Sequence, residues 1–326
     1  MNALPSVFQI PDYEKTLADY INYAVEYCAK GDAQKAIQLR ETLENDGELL
    51  AQVTQALILK YIADIRKQSH ASLQMFRKYV SETEMVDLLA LQYRLKRQTL
   101  EPEDTSVYPP IPAVMESNED LLRRFDLAPY QFHTTGTRLG YKFHALTLDE
   151  RPKITVEQED NVVIMRYEFP TETISNPVKD AEPRMVEPNS GKVTTAILSR
   201  ESENGIPSAA LLTRVKAYLE RDDIAQESDE ISTKAATLKE YEVHVVVYTG
   251  GDPNHHITQA TAEQSGWDFA KKMHRLESTI DREEVAHIFY QLGAKRAKVL
   301  KPVADVECAW DEAPYCTGVT IEIRSE

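Results

Sequence analysis

The sequence predicts an α+β protein, in which an N-terminal helical bundle segment is followed by mixed α/β sandwich domains. Three observations indicate this class. Apolar residues recur at helical spacing in residues 1–80, prolines interrupt the chain at residues 100–112, and the C-terminal third alternates between strand and helix patterns. With 326 residues, the chain is long enough to form more than one compact unit.

The N-terminal segment is predicted to form helices at residues 13–28, about 33–43 and about 48–65, with Asp12 as the first N-cap. The third helix is apolar over much of its circumference, which is typical of a helix buried on more than one side. The segment is therefore either an ordinary intramolecular bundle or a bundle shared between subunits. In the second case the predicted contact residues are Leu17, Ile21, Val25, Leu50, Val53, Leu57 and Tyr61.

The middle of the chain, residues 81–152, is predicted to be helical around a proline-rich extended linker at 100–112. Its helices are expected at 118–127 and 138–145. Residues 153–193 are predicted to form a hairpin-like insertion. Strands at 153–156 and 162–169 alternate, whereas 170–191 contains prolines and few apolar residues, which indicates an extended loop.

Residues 194–326 are predicted to form a C-terminal α+β domain that contacts neighbouring subunits. Strand and helix patterns follow one another along this stretch, and Asp281 is a plausible N-cap. The predicted strands are 194–198, 238–248, 295–306 and 317–323, and the predicted helices are 207–220, 256–276 and 281–292.

The net charge of −16 argues against a nucleic-acid partner, because phosphate binding needs clustered Lys and Arg. We expect no signal peptide and no membrane partner, since no cationic start precedes an apolar core and no apolar run is long enough to span a bilayer. Cys308 and Cys316 could meet across a hairpin, but with Cys28 they make an odd number. In a reducing cytoplasm we expect free thiols.

No residue pattern predicts a catalytic, cofactor or metal site. His255 and His256 follow Asp252, but adjacent histidines on a forming helix point to different sides, and no third ligand is near in sequence. His144 lacks a nucleophile in any recognisable elbow motif. The pair Gly250 and Gly251 lacks the Gly-Lys-Ser/Thr of a phosphate loop.

Five sequence blocks follow one another in a distinctive order, at residues 86–93, 118–129, 135–146, 197–212 and 315–321. The second reads Asn-Glu-Asp-Leu-Leu-Arg-Arg-Phe-Asp-Leu-Ala-Pro, and the fourth joins a Leu-Ser-Arg strand end to a Gly-x-Pro-Ser turn and a helix. Together they resemble the baseplate protein J family, which are wedge subunits of contractile phage tails and related injection machines. The resemblance implies structural roles for Arg123, Arg124, Pro129, Gly136, His144, Ser199, Arg200, Gly205, Pro207 and Ser208.

What the resemblance implies for function is mechanical. It implies a non-enzymatic subunit of the virion tail baseplate, made in the host cytoplasm and present as two copies in each wedge. Its expected partners are a second copy, a smaller wedge protein similar to tail protein I, a sheath-initiator or lysozyme-like wedge protein, and the central hub or spike. C-terminal domains would form a ring around the hub, and this ring would dilate to start sheath contraction.

The proline-rich stretch at 100–112 is a candidate joint between the helical contact and the ring. An alternative from another class is a cytoplasmic α/β hydrolase or binding enzyme with His144 or His255 in its site. Such an enzyme would show a concave polar pocket, whereas a wedge subunit would expose surfaces that need partners.

Overall fold

A computed structural model of the chain describes residue 5 and residues 8–132, 136–168, 176–250 and 257–325. The chain divides into two compact units, residues 1–92 (unit 1) and 93–326 (unit 2). Unit 1 is helical, and unit 2 combines helices with small mixed sheets, so the predicted α+β class is confirmed. The finer domain boundaries at 80, 152 and 193 stay predictions.

Unit 1 is made of helices whose starts are fixed by local capping. Asp12 accepts a hydrogen bond from the Lys15 amide, and Asp32 accepts from the Gln34 and Lys35 amides, which satisfies N–H groups that lack helical partners. The helices are α1 (Tyr13–Ala29), α2 (Ala33–Glu44), α3 (Leu49–Leu73) and α4 (Thr83–Ala90). α3 continues past the predicted end at 65, because residues 66–73 are mostly good helix formers although they lack the apolar pattern.

Contacts at two places along the helices show that α1 runs antiparallel to α3. The Ser69 hydroxyl donates to the Phe8 carbonyl at 2.9 Å, and the Phe8 ring meets the Phe76 ring edge-on with centroids 6.0 Å apart. Further along, the Tyr20 and Tyr61 rings lie 5.8 Å apart. Residue numbers therefore rise on one helix as they fall on the other.

Unit 2 begins with a hairpin where the sequence predicted an extended linker. β1 (Thr99–Glu101) pairs antiparallel with β2 (Val114–Met115), and Asp104 bridges to Ile111 between them. The prolines lie in the connection, where they do not need to donate ladder hydrogen bonds. The segment thus returns to its starting point instead of spanning a distance.

Two short helices follow, and both begin at side-chain caps. α5 (Asn118–Leu127) begins at Ser117, whose hydroxyl accepts from the Asp120 amide, and α6 (Arg138–Leu146) begins at Thr137, which accepts from the Gly140 amide. β3 (Lys153–Glu159) and β4 (Val162–Glu168) then form a two-stranded antiparallel ribbon in full register.

The first main sheet of unit 2 has the order β5–β6–β7. β5 (Val178–Met185) pairs antiparallel with β6 (Lys192–Ser199), which pairs in parallel with β7 (Glu230–Ala235). α6 packs on β5, and α7 (Ala209–Leu219) packs on β7. The expectation of an extended loop at 170–191 is wrong over 178–185, where a buried strand forms.

The second main sheet has the order β10–β8–β12. β8 (Thr237–Thr249) pairs in parallel with β12 (Glu312–Ser325) and antiparallel with β10 (Arg296–Lys301). The other elements are α8 (Gln259–Met273), β9 (Thr279–Ile280), α9 (Arg282–Gln291) and β11 (Val306–Glu307). Asp281 caps α9 as predicted, whereas His255 and His256 lie outside the described residues.

Within the described ranges, no helix has the length and apolar content needed to cross a bilayer. Cys28, Cys308 and Cys316 are free thiols, and Cys316 is buried in β12. Burial raises the pKa of the Cys308 thiol to about 11, so this group is protonated and unreactive near neutral pH.

Candidate functional site: a polar junction at the start of β5

Three residues of the sequence motifs, Arg123, Ser199 and Arg200, contact the first residues of β5 or those just before it. Asp180 is fully buried, and its Oδ1 accepts from Arg123 Nη2 at 2.7 Å. Its Oδ2 accepts from the backbone amide of Leu276 at 3.1 Å. We call the segment 176–182, with the groups that bind it, the β5 junction.

Ser199 and Arg200 hold the same segment from β6. The Arg200 backbone amide donates to the Pro177 carbonyl at 2.7 Å, and its guanidinium donates to the carbonyls of Val178 and Asn176. The Ser199 hydroxyl donates to the Pro177 carbonyl at 3.3 Å. The Leu-Ser-Arg strand end therefore fixes the entry of β5 through backbone groups.

The glycine turn after this strand end packs against a distant part of unit 2. Gly205 has φ +80°, and a Cβ there would lie 2.6 Å from Leu198 Cδ1 and 3.0 Å from His274 Cε1. Only glycine fits, because both the backbone conformation and the space exclude a side chain. Pro207 precedes Ser208, whose hydroxyl caps α7 by accepting from the Leu211 amide at 3.1 Å.

Arg124 forms a second buried cluster beside the junction. Its guanidinium binds both oxygens of Glu116 at 2.8 Å and Glu150 Oε2 at 2.9 Å, and it also donates to the Lys96 carbonyl at 2.5 Å. Burial opposes the charge on Arg124, but the hydrogen bonds and charges of the two carboxylates outweigh it and raise the pKa of the guanidinium. Burial raises the pKa of Glu150 against the pull of Arg124.

Gly136 and Pro129 belong to the surroundings of α6. Gly136 has φ +57°, and a Cβ there would lie 2.7 Å from both Tyr141 Oη and Asp229 Oδ2. Tyr141 Oη donates to Asp229 Oδ2 at 2.7 Å, and burial raises the pKa of Tyr141 to about 12. Pro129 lies in the short 3-10 segment Ala128–Phe132, directly after α5.

His144 is buried on α6, and its Nδ1 has no hydrogen-bond partner among the residues that the structure describes. Burial first, and then the charge of Arg151, lower the pKa of His144 to about 4. The imidazole is therefore neutral near pH 7, and its pKa lies far below the value that suits a general base at that pH.

Sequence reasoning missed the charged residues of β5 and their partners. Lys179 Nζ lies 3.0 Å from His274 Nδ1, and Lys142 Nζ donates to Glu182 Oε2 at 2.6 Å. Few apolar residues lie between the prolines of this stretch, and it was therefore predicted to form an extended loop. Val178 and Ala181 are three residues apart, so they do not show the period of two that indicates a strand.

The pKa values of Lys179 and His274 are both lowered from their ordinary values. Burial, and then the charge of Arg200, lower the pKa of Lys179 to about 8. Burial, and then the charge of Lys179, lower the pKa of His274 to about 4. Neutral His274 thus accepts from the lysine through Nδ1, and within the described part of the chain its buried Nε2 has no hydrogen-bond partner.

The junction encloses a cavity of about 10 Å³ between Arg123, Arg124, Lys179 and Arg200, enough for about one water molecule. A separate open groove of about 520 Å³ lies beside Tyr241, Lys301 and Val303. Across the described residues, no group of three His, Cys, Asp or Glu side chains is placed to hold a metal ion.

The predicted contact residues of unit 1 lie mostly at the surface. Ile21 is buried, and Leu17 and Val25 are half-buried. The α3 residues are far more open, whereas the buried side of α3 consists of Ala51, Ile58 and Ile62. The exposed fractions are 47% for Leu50, 47% for Val53, 66% for Leu57 and 43% for Tyr61.

Comparison with known proteins gives a similarity that covers almost the whole chain. "Baseplate protein J" of Escherichia phage P2 is 24% identical over 313 residues, which is 96% of this chain and 93% of that protein. No family model matches the sequence. The resemblance that the five sequence blocks predicted is confirmed by this similarity.

Proposed function

From the premise that the chain resembles the baseplate protein J family over nearly its full length, we propose that it is a structural protein of a phage tail baseplate. The whole-length similarity to baseplate protein J is the observation that carries this proposal. It favours a non-enzymatic role and a place in the virion.

In finer detail, we propose a wedge subunit that pairs with a second copy through unit 1 and also binds other baseplate proteins there. The exposed apolar residues of α1 and α3 support this. Tyr23 and Tyr27 follow Tyr20 along α1, and Leu57 and Val53 precede Tyr61 along α3. Because the two helices are antiparallel, both pairs lie to the same side of the Tyr20–Tyr61 contact along the helix axes. We call this surface, made of Tyr20, Tyr23, Tyr27, Leu50, Val53, Leu57 and Tyr61, the tyrosine face.

The tyrosine face exposes several large apolar side chains next to one another along two helices. Tyr23 and Tyr27 are 72% and 69% exposed, and Leu57 is 66% exposed. Fully burying a leucine-sized side chain contributes about 1.5–3 kcal/mol, so covering a few of them would stabilise an assembly substantially. Helix-to-helix contact with another chain is the arrangement that such a stripe suits.

We also propose further partners in the wedge and a ring that moves. A smaller wedge protein similar to tail protein I, and a sheath-initiator or lysozyme-like wedge protein, would complete the wedge. Unit 2 would contact neighbouring wedges in a ring around the central hub or spike. Dilation of that ring would release the hub and start sheath contraction.

Substitution of Leu57 by Asp tests the tyrosine face. An unpaired carboxylate in an apolar contact costs several kcal/mol, so Leu57→Asp should abolish self-association in sedimentation and prevent incorporation into baseplates. Because Leu57 is exposed in the single chain, the helical circular dichroism signal should be unchanged. The adjacent change Ile58→Asp should unfold unit 1, because Ile58 is only 1% exposed.

Ala63→Asp is the matched control. Ala63 is exposed on α3, about 120° around the helix from Leu57, and should tolerate the same charge without loss of assembly. Baseplates that still incorporate Leu57→Asp would contradict the placement of the contact. Unfolding of unit 1 by Leu57→Asp would show that Leu57 serves the chain's own core.

A further inference from the structure

Unit 2 contains two hydrophobic cores that share no residue. One core lies within residues 93–236, which we call lobe A, and its buried members run from Tyr141 to Ile231. The other lies within residues 237–325, which we call lobe B, and its buried members run from Tyr241 to Ile321. Each lobe therefore holds its main sheet and helices around a core of its own.

The connection between the sheets of the two lobes is one residue long. β7 ends at Ala235 and β8 starts at Thr237, so Ala236 alone separates the two sheets. The Ala236 amide donates to the Ile197 carbonyl of lobe A, and the Thr237 amide donates to the Asp311 carbonyl of lobe B, both at 2.9 Å.

The apolar cluster at the crossing is smaller than either main core. Three of its five buried members are alanines, and Leu238 and Trp310 are partly buried against it. The buried members are Ala196, Leu198, Ala236, Leu276 and Ala313.

Charged side chains also join the lobes, among them Arg184 of lobe A, which donates to Glu277 of lobe B at 2.5 Å. Arg275 of lobe B donates to Asp120 at 3.0 Å and to Glu119 at 3.4 Å, both in lobe A. Lys234 of lobe A donates to Asp311 of lobe B at 2.6 Å. These pairs are partly exposed, with side-chain exposures of 25% for Arg275 and 28% for Asp120, so water and salt can reach them.

Lys179 and Asp180, both in lobe A, would each lose a partner in lobe B if the lobes separated. The buried Lys179–His274 pair joins the lobes although burial disfavours the charge on Lys179, so separation would relieve this cost. Asp180 would lose the Leu276 amide on separation. It would keep Arg123 and the Ala181 amide, which donates to Oδ1 at 2.8 Å, so lobe A does not depend on lobe B for this carboxylate.

We propose that lobes A and B are two rigid bodies that open about Ala236, and that Arg275 with Asp120 and Glu119 is the latch that holds them closed. Opening breaks the charged contacts and the apolar cluster at the crossing, but it leaves the two main hydrophobic cores intact. Its use rests on the proposed function, because a ring subunit that must widen needs a joint that moves without unfolding.

Amide hydrogen exchange on the full-length purified protein tests the latch. The Leu276 amide is the reporter, because its acceptor Asp180 lies in the other lobe. Arg275→Glu should accelerate exchange at Leu276 by roughly tenfold or more, while amides in β6 and β8 keep their protection. Reversing the partners as well, with Glu119→Lys and Asp120→Lys, should restore slow exchange.

Arg214→Glu is the control, because Arg214 forms a comparable ion pair with Asp149 inside lobe A. It should leave Leu276 unchanged. Unaltered exchange at Leu276 in Arg275→Glu would overturn the latch, and so would equal acceleration of the β6 and β8 amides. Failure of the charge swap to rescue would also overturn it. Since the measurement needs no baseplate, its outcome is separate from the assembly test at Leu57.

Discussion

Unit 1 and unit 2 differ in the kind of residue that each places against expectation: unit 1 exposes apolar side chains, and unit 2 buries charged ones. On α3 of unit 1, Leu57 is 66% exposed beside Ile58 at 1%. In unit 2, Asp180 and Arg124 are buried at 0% and 3%, each with partners from distant elements. Unit 1 thus exposes large apolar side chains on α3, whereas unit 2 buries Asp180 and Arg124 and pairs each with opposite charges of its own.

The contrast indicates where each unit is sensitive. A charge placed on the exposed face of unit 1 should affect assembly more than folding. Removal of a charge from the interior of unit 2 should affect folding, because the remaining partner is left buried and unpaired. The following changes test this difference, starting with the largest expected effect.

Removal of Arg124 is expected to have the largest effect on unit 2. Arg124→Met leaves Glu116, whose side chain is 1% exposed, without its cation, and should lower the free energy of unfolding by about 3–5 kcal/mol. Both tryptophans, Trp267 and Trp310, lie in unit 2, so their fluorescence in urea titrations reports the change.

Arg214→Met provides the comparison for that measurement. Its pair with Asp149 has side-chain exposures of 42% and 34%, so its loss should cost less than about 1 kcal/mol. Equal losses in the two variants would show that the buried cluster around Arg124 has no special weight in unit 2.

The pH dependence of unit 2 should reflect its buried histidines. His144 has a folded pKa of about 4, below the ordinary value of 6.5, so the unfolded chain takes up a proton first as the pH falls. The unfolding free energy should therefore decrease between about pH 6.5 and pH 4, by an amount on the order of 1–3 kcal/mol, and level off below that range. His274 acts in the same direction.

His144→Gln isolates that contribution in urea titrations at pH 7 and pH 5. The variant should lose less stability than the wild-type protein between these two values, whatever its stability at pH 7. Parallel losses in the two proteins would mean that folding does not lower the pKa of His144.

The smallest expected effect compares one helix cap from each unit. Asp12→Ala and Ser208→Ala each remove a side-chain acceptor, from the Lys15 and Leu211 amides, and each should cost about 1 kcal/mol. Amide exchange within α1 and α7 measures the loss in each unit separately. The controls Asp12→Asn and Ser208→Thr retain an acceptor and should exchange nearly as the wild-type protein does. A much larger loss at Ser208 would show that this motif residue supports the β5 junction beyond its own helix.

The elements predicted well are those whose signals lie within a few residues. Asp12 and Asp281 were read as caps, and both accept hydrogen bonds from the first turn of their helices. α5 spans the predicted residues 118–127. β5 was missed because its charged residues are compensated by partners that are distant in sequence, such as Arg123, which lies 57 residues before Asp180.

The candidate site was predicted only in part. The motif residues Arg123, Ser199, Arg200 and Gly205 were singled out, but the sequence did not indicate that they meet at one segment. Their structural roles remain predictions, and so does the contact assigned to Leu57 and its neighbours. Nothing in the sequence singled out His274, because it lies in none of the five sequence blocks and its partner Lys179 lies 95 residues away.

Local spacing and the order of motifs are enough to predict the α+β class, the capped helices and the resemblance to a baseplate family. Which side of α3 is buried, and which charges lie inside, depends on how the chain packs. α3 is apolar around most of its circumference, so its pattern cannot select between Leu57 and Ile58. Burial of a charge depends on whether the fold brings an opposite charge to it, and that is a property of the packed chain.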